Sequence, residues 1–311
     1  MILIVGSIAP VACAAAAAIA PPVARRLPPS TAVRLLTAVA LAAAVSTGFA
    51  LAVVAFTVAG TEDQVARRGR WSPDVLARLA GVPRLVGVVA GAAVVVLLAR
   101  ALLRAIGAAR ALWAAEHACR ALGDGVDGLV ILDEDRATAY TLPGRQGRIV
   151  VSRGMLESLD AHERRVLLAH ERSHLEHRHA IYVELVSVAA AANPLLRPLA
   201  STVRAAIERW ADEDAASAVA DRPLAAHAVA RAAIAVASAT RRSPVPTCAL
   251  AATGGVVTAR VEALLAPAPR PRHSLSAFVA LSSLVAIIGA VAVERSAEHT
   301  FERAISISAQ R

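Results

Sequence analysis

The sequence predicts a mainly α membrane protein, with four transmembrane helices and a cytoplasmic α+β segment carrying a small antiparallel sheet. Three observations carry this expectation. Apolar residues make up 57% of the 311 residues and charged residues 18%, against about 45–50% and about 25% in ordinary soluble domains. The excess lies in long runs of Ala, Val and Leu. Between the third and fourth runs the chain changes: His, Glu, Asp and Arg become frequent, and Gly and Pro punctuate short elements.

A hydrocarbon core about 30 Å thick needs roughly 20 apolar residues in helix. Residues 2–23, 35–58, 85–103 and 275–293 answer to that length, the third by letting Arg100 snorkel to the interface. The chain then divides into a membrane domain (1–104), an interior domain (105–273) and a last span with a short extracellular tail (274–311). Arg25, Arg26 and Arg34 follow the first span. Arg100, Arg104, Arg110 and Arg120 follow the third, and Arg270, Arg272 and His273 precede the fourth. Placing all three clusters inside gives a multi-pass protein of the cell membrane with residues 104–273 in the cytoplasm. The loop 59–84, with Arg67, Arg68, Arg70, Arg78 and Arg84, runs against that rule.

The net charge is +9, and every basic residue is Arg. The bilayer accounts for this without a nucleic-acid partner, and aromatics at 3% are too scarce for base-stacking surfaces. Cys13, Cys119 and Cys248 form neither a CxxC pair nor a disulfide framework.

In the interior segment, residues 128–132, 137–141 and 148–152 read as short strands, with Pro143-Gly144 and Gln146-Gly147 marking the turn between the last two. Asp160 with Glu163 three residues on reads as a capping box, opening a helix that runs to about Arg178. That helix contains His170-Glu171-Arg172-Ser173-His174. Positions four apart share a helix face, so both imidazoles can reach one Zn²⁺ at about 2.0–2.1 Å. Glu171 is rotated by about 100°, poorly placed as a ligand but able to act as general base toward a metal-activated water. Zinc is thus the expected cofactor.

A catalytic zinc needs a third protein ligand. A His six residues beyond His174 would serve, but Ala180 stands there. A downstream acid is the other solution: Glu208, with Asp212 one turn on to hold a zinc-bound His in its tautomer. Glu184, Glu213 and Asp214 compete for the ligand role, and Glu208 could instead be a surface partner of Arg204. His177, with Arg178 and His179, reads as complementing the negative end of the helix dipole. His117, His162, His227 and His299 have no spacing partner. Residues 180–196 are apolar enough to resemble a fifth span, but crossing there would put Glu208 on the far side from His170. The segment is therefore expected to pack on the motif helix and dip into the interface.

Thr141-Leu-Pro-Gly144, the run from Arg148 to Met155, the HExxH and the ExxxD at 208–212 resemble gluzincin membrane metallopeptidases. The similarity points first to family M56, that of the BlaR/MecR antibiotic-sensing transducers, and to the related family M48 of HtpX-like and CAAX prenyl proteases. This resemblance covers about residues 130–216. It implies a zinc metalloendopeptidase with zinc on His170, His174 and Glu208, Glu171 catalytic, and a protein substrate: a cytosolic winged-helix repressor of the BlaI/MecI type. The sequence departs from the β-lactam sensors in having no SxxK motif and only 18 residues after Val293. Two alternatives stay open, an HtpX-like protease of membrane-protein quality control and a non-catalytic signalling scaffold with a structural zinc.

Overall fold

The computed structural model describes residues 2–123, 126–241, 248–268, 288, 291–292 and 294–307. It is mostly helical with one small sheet. Its helices include α1 (Ile2–Arg26), α2 (Pro29–Ala59), α3 (Asp63–Gly69), α4 (Pro73–Ala80), α5 (Arg84–Ala121), α6 (Arg153–Ser158), α7 (Ala161–Glu176), α8 (His179–Ala192), α9 (Arg197–Val219), α10 (Arg222–Arg241) and α11 (Cys248–Leu265), and residues 294–307 are helical as well. A single 3-10 turn, Pro194–Leu196, joins α8 to α9.

Among the described residues two helices, α2 and α5, are long and apolar enough to cross a membrane. The first expected span forms α1, which packs against α2 and α9. The fourth, 275–293, lies almost wholly outside the described residues. The third lies in α5, a helix that runs on past residue 103. It continues unbroken to Ala121, where Glu116 accepts a hydrogen bond from the Arg145 backbone N–H at 2.8 Å. With 38 residues at about 1.5 Å each, α5 is long enough to carry an apolar span and a further stretch reaching the sheet.

The strands are β1 (Leu129–Leu132), β2 (Ala139–Leu142) and β3 (Arg148–Ser152), in the order β1-β3-β2. Here the expected antiparallel sheet is corrected: β2 pairs antiparallel with β3, but β1 pairs parallel to it, so the sheet is mixed. The reason lies in burial and in one glycine. All of β3 is buried, and this strand takes the centre. The short link from β1 to β2 must then cross over the end of β3. It does so against Gly154, where a Cβ would stand 2.0 Å from the Asp135 carbonyl oxygen. The Gly154 N–H donates to the Glu134 carbonyl at 2.9 Å, and Ser152 Oγ accepts from the N–H of both Thr138 and Met155.

The helices α1, α2, α8 and α9 share one apolar core. Cys13, Leu27, Val33, Leu36, Val186, Leu196, Leu199, Val203, Ile207 and Trp210 meet in it. Polar ties reinforce the contact: Asn193 Nδ2 donates to Thr47 Oγ1 at 3.2 Å, and Arg209 donates to the Ala24 carbonyl at 3.0 Å. On its other side α8 is held to α5 by an Arg104–Glu184 ion pair of 2.6 Å. Residues 180–192 are therefore the apolar helix α8 packed on α2, α5 and α9. The chain turns back through Pro194–Leu196, so α9 returns to α7.

Candidate metal centre

Local chemistry starts the motif helix. Asp160 Oδ1 accepts from the N–H groups of His162 and Glu163, and Glu163 Oε2 accepts from the Asp160 N–H, each at 2.8 Å. This capping box satisfies donors that a helix start leaves open. The helix stops at Glu176 because Arg178 takes a left-handed conformation, φ 51° and ψ 45°. His179 therefore does not finish α7 but opens α8.

Helix α9 lies across α7, and its next-turn pair Glu208 and Asp212 faces the two imidazoles. His170 Nε2 and His174 Nε2 are 3.2 Å apart. Glu208 Oε2 lies 3.7 Å from the first and Glu208 Oε1 3.9 Å from the second. One ligand atom from each of the three can be chosen so that all lie within 4.8 Å of one another, a candidate His-His-Glu metal site. The donor chemistry fits zinc: two bonds of about 2.05 Å separated by this Nε2–Nε2 distance subtend roughly 100°, near the tetrahedral angle. Asp212 Oδ1 stands 3.0 Å from His170 Nδ1, on the ring edge opposite the cluster.

The competing acids are engaged elsewhere. Glu184 pairs with Arg104, Glu213 with Arg222, and Asp214 accepts from Ser173 Oγ at 2.6 Å and meets His177 Nε2 at 3.0 Å. Arg204 donates to Ser187 rather than to Glu208. The lone histidines also have other neighbours: His117 against Trp113, His162 against Arg165, His227 against Glu163 and His299 against Glu302.

Two residues of the site escaped the sequence reading. Arg260, from α11, forms a two-pronged pair with Asp212 at 2.6 and 2.8 Å and reaches Glu208 Oε2 at 3.2 Å. It stands 48 residues beyond Asp212, with no local pattern to mark it. His179 is the second, its Nδ1 3.0 Å from His174 Nδ1. Five residues on, it would point away from the pair on a continuous helix; the break at Arg178 brings it back.

These contacts set the protonation states. Burial pushes Glu171 up from the ordinary carboxylate range, reinforced by Glu208 and opposed by His170 and Arg260. Burial would also raise Asp212, but hydrogen bonds with Arg260 and His170 outweigh it and hold the carboxyl low. For His170 burial acts downward, and the Asp212 carboxylate overcomes it to raise the imidazole. His174 has no carboxylate so close; burial, with His170 and Arg260 nearby, pushes it down to about 3. Its ring is neutral at physiological pH, with one lone pair free to bind a cation.

Residues 110–196 match the family model described as Peptidase family M48. Over this stretch, less than a third of the chain, the sequence is similar to M48 peptidases. The match covers the motif helix and ends before Glu208 and Asp212. No curated protein matches the chain, and no solved structure does.

Proposed function

We propose that this protein is a membrane-anchored zinc endopeptidase with its active site on the cytoplasmic face. The observation that carries the reading is the convergence of His170, His174 and Glu208 beside a buried Glu171. His170, His174 and Glu208 would hold the ion. When bound, zinc would supply Lewis-acid polarisation of a carbonyl and would acidify a water molecule. Glu171, raised by burial, would be the general base toward the attacking water and would pass the proton to the departing amine. Asp212, its Oδ1 3.0 Å from His170 Nδ1, would orient that imidazole and keep Nε2 free for the ion. Arg260 holds Asp212 and Glu208 in place.

The match to family M48 favours proteins of the membrane itself as substrates, in a quality-control role. Cleavage of a cytosolic winged-helix repressor of the BlaI/MecI type, the M56 reading, draws its support from the motif pair and the span pattern. Cells carrying Glu171→Gln in place of wild type separate the two. Accumulation of several truncated or damaged membrane proteins supports quality control, and persistence of one intact repressor supports signalling. A Glu171→Gln strain whose proteome matches wild type under membrane stress and antibiotic challenge overturns both.

A further inference from the structure

The two imidazoles of the candidate site are held differently. His170 has a carboxylate against Nδ1, the Asp212 oxygen at 3.0 Å. His174 has another imidazole there, His179 Nδ1, also at 3.0 Å. Two ring nitrogens this close cannot both carry protons, and without one neither donates. One must be N–H and the other a bare lone pair. The ring of His179 is 1% exposed, and its Nε2 has no hydrogen-bond partner among the described residues. It is wedged between the His174 ring at 4.9 Å and Trp210 at 4.8 Å, while Arg34 of α2 sits over the Trp210 ring at 5.2 Å. Among the described residues no acid is hydrogen-bonded or ion-paired with it; Asp214 is taken by Ser173 and His177.

We infer that His179 is a positioning residue: it accepts a hydrogen bond from His174 Nδ1–H and so fixes His174 in the tautomer whose Nε2 lone pair faces His170 and Glu208. The inference rests on the metal site proposed above. The opposite arrangement, His179 donating to His174, would put a proton on His174 Nε2, directed at the cluster where an ion must bind. Only one of the two tautomer pairs is therefore compatible with a bound cation. His179 then carries its proton on the buried Nε2, so its unpartnered edge is a donor that the site leaves unsatisfied. A group that orients a metal-binding His typically changes metal affinity by about 10–100-fold when removed.

The test uses the full chain in detergent, with Zn²⁺ affinity measured by competition against a chromophoric chelator. Two variants divide packing from hydrogen bonding. His179→Asn places an acceptor oxygen where Nδ1 stood, and His179→Leu fills the space without one. The expected result is near wild-type affinity for Asn and a loss of about 10–100-fold for Leu, with apo-protein melting temperatures alike. Equal weakening in both variants, or wild-type affinity in Leu, overturns the inference. If Leu does not fold, ¹⁵N side-chain shifts of the zinc-loaded wild type decide: protons on His174 Nδ1 and His179 Nε2 are expected, and the reverse pattern overturns it. Wild-type protein that takes up no Zn²⁺ defeats the metal site itself, a separate outcome.

Discussion

On one face of α9, Leu199, Val203 and Ile207 are buried in the apolar cluster that this helix shares with α1, α2 and α8. On the other face, Glu208 and Asp212 meet two imidazoles and a guanidinium, and Asp212 is only 2% exposed. The apolar face gains by removing surface from water, a gain that tolerates small changes in shape. The charged face gains nothing from burial as such. Its groups are tolerable only because each carries a partner, so removing one leaves another exposed to the full cost of desolvation. The same helix thus takes stability from one side and chemistry from the other.

The sharpest way to break this contrast is at Glu171. Glu171→Gln should lower peptide hydrolysis by about 100- to 10,000-fold, while zinc content and melting temperature stay at wild-type values. A matching loss of stability would mean that the charged face is structural. Next comes Asp212→Ala, which takes the two-pronged partner from buried Arg260 and leaves it Glu208 alone; it should cost about 3–5 kcal/mol in denaturant unfolding. The double variant Asp212→Ala/Arg260→Leu should recover part of this, because the buried guanidinium that lost Asp212 is gone, while Glu208 is the more exposed of the two acids. Leu199→Ala, on the opposite face, should cost about 2–5 kcal/mol and leave the zinc affinity of the folded fraction unchanged.

Acid sharpens the comparison further. The Asp212 carboxyl is held below its unfolded value, near about 3.9, chiefly by Arg260 and His170 against the opposing effect of burial. Its contribution is therefore fully present above that value and is lost as pH falls through the lower folded one. The stability gap between wild type and Asp212→Ala should shrink below about pH 4, whereas the gap for Leu199→Ala should not follow that titration. The smallest effect belongs to the exposed Arg84–Glu62 pair, 2.8 Å long with side chains 79% and 58% exposed. Glu62→Ala should change stability by about 0–1 kcal/mol.

What was legible in the sequence follows the range of the interactions. The capping box of Asp160 and Glu163 spans three residues, and the His170–His174 pair spans four. Both are consequences of one helical turn. Glu208 and Asp212 were readable as a four-residue pair, though their meeting with α7 needs the return of the chain through Pro194–Leu196. Arg260 and His179 depend on contacts that no local spacing encodes, one on a distant helix and the other on a left-handed residue that redirects the chain. The sheet order failed for a similar reason, since alternation marks strands but not which strand another will choose. Only the buried centre of β3 and the clearance at Gly154 account for the crossing.

The apolar core common to α1, α2, α8 and α9 gives this molecule no stalk. A catalytic head on a flexible tether sweeps a volume and can pursue its clients. Here Glu208 and Asp212 ride on a helix bolted to the apolar scaffold, so the candidate site stays at one height above it. On the proposed function, a substrate would have to be delivered to that height, and its distance from the anchor would select which peptide bond is presented.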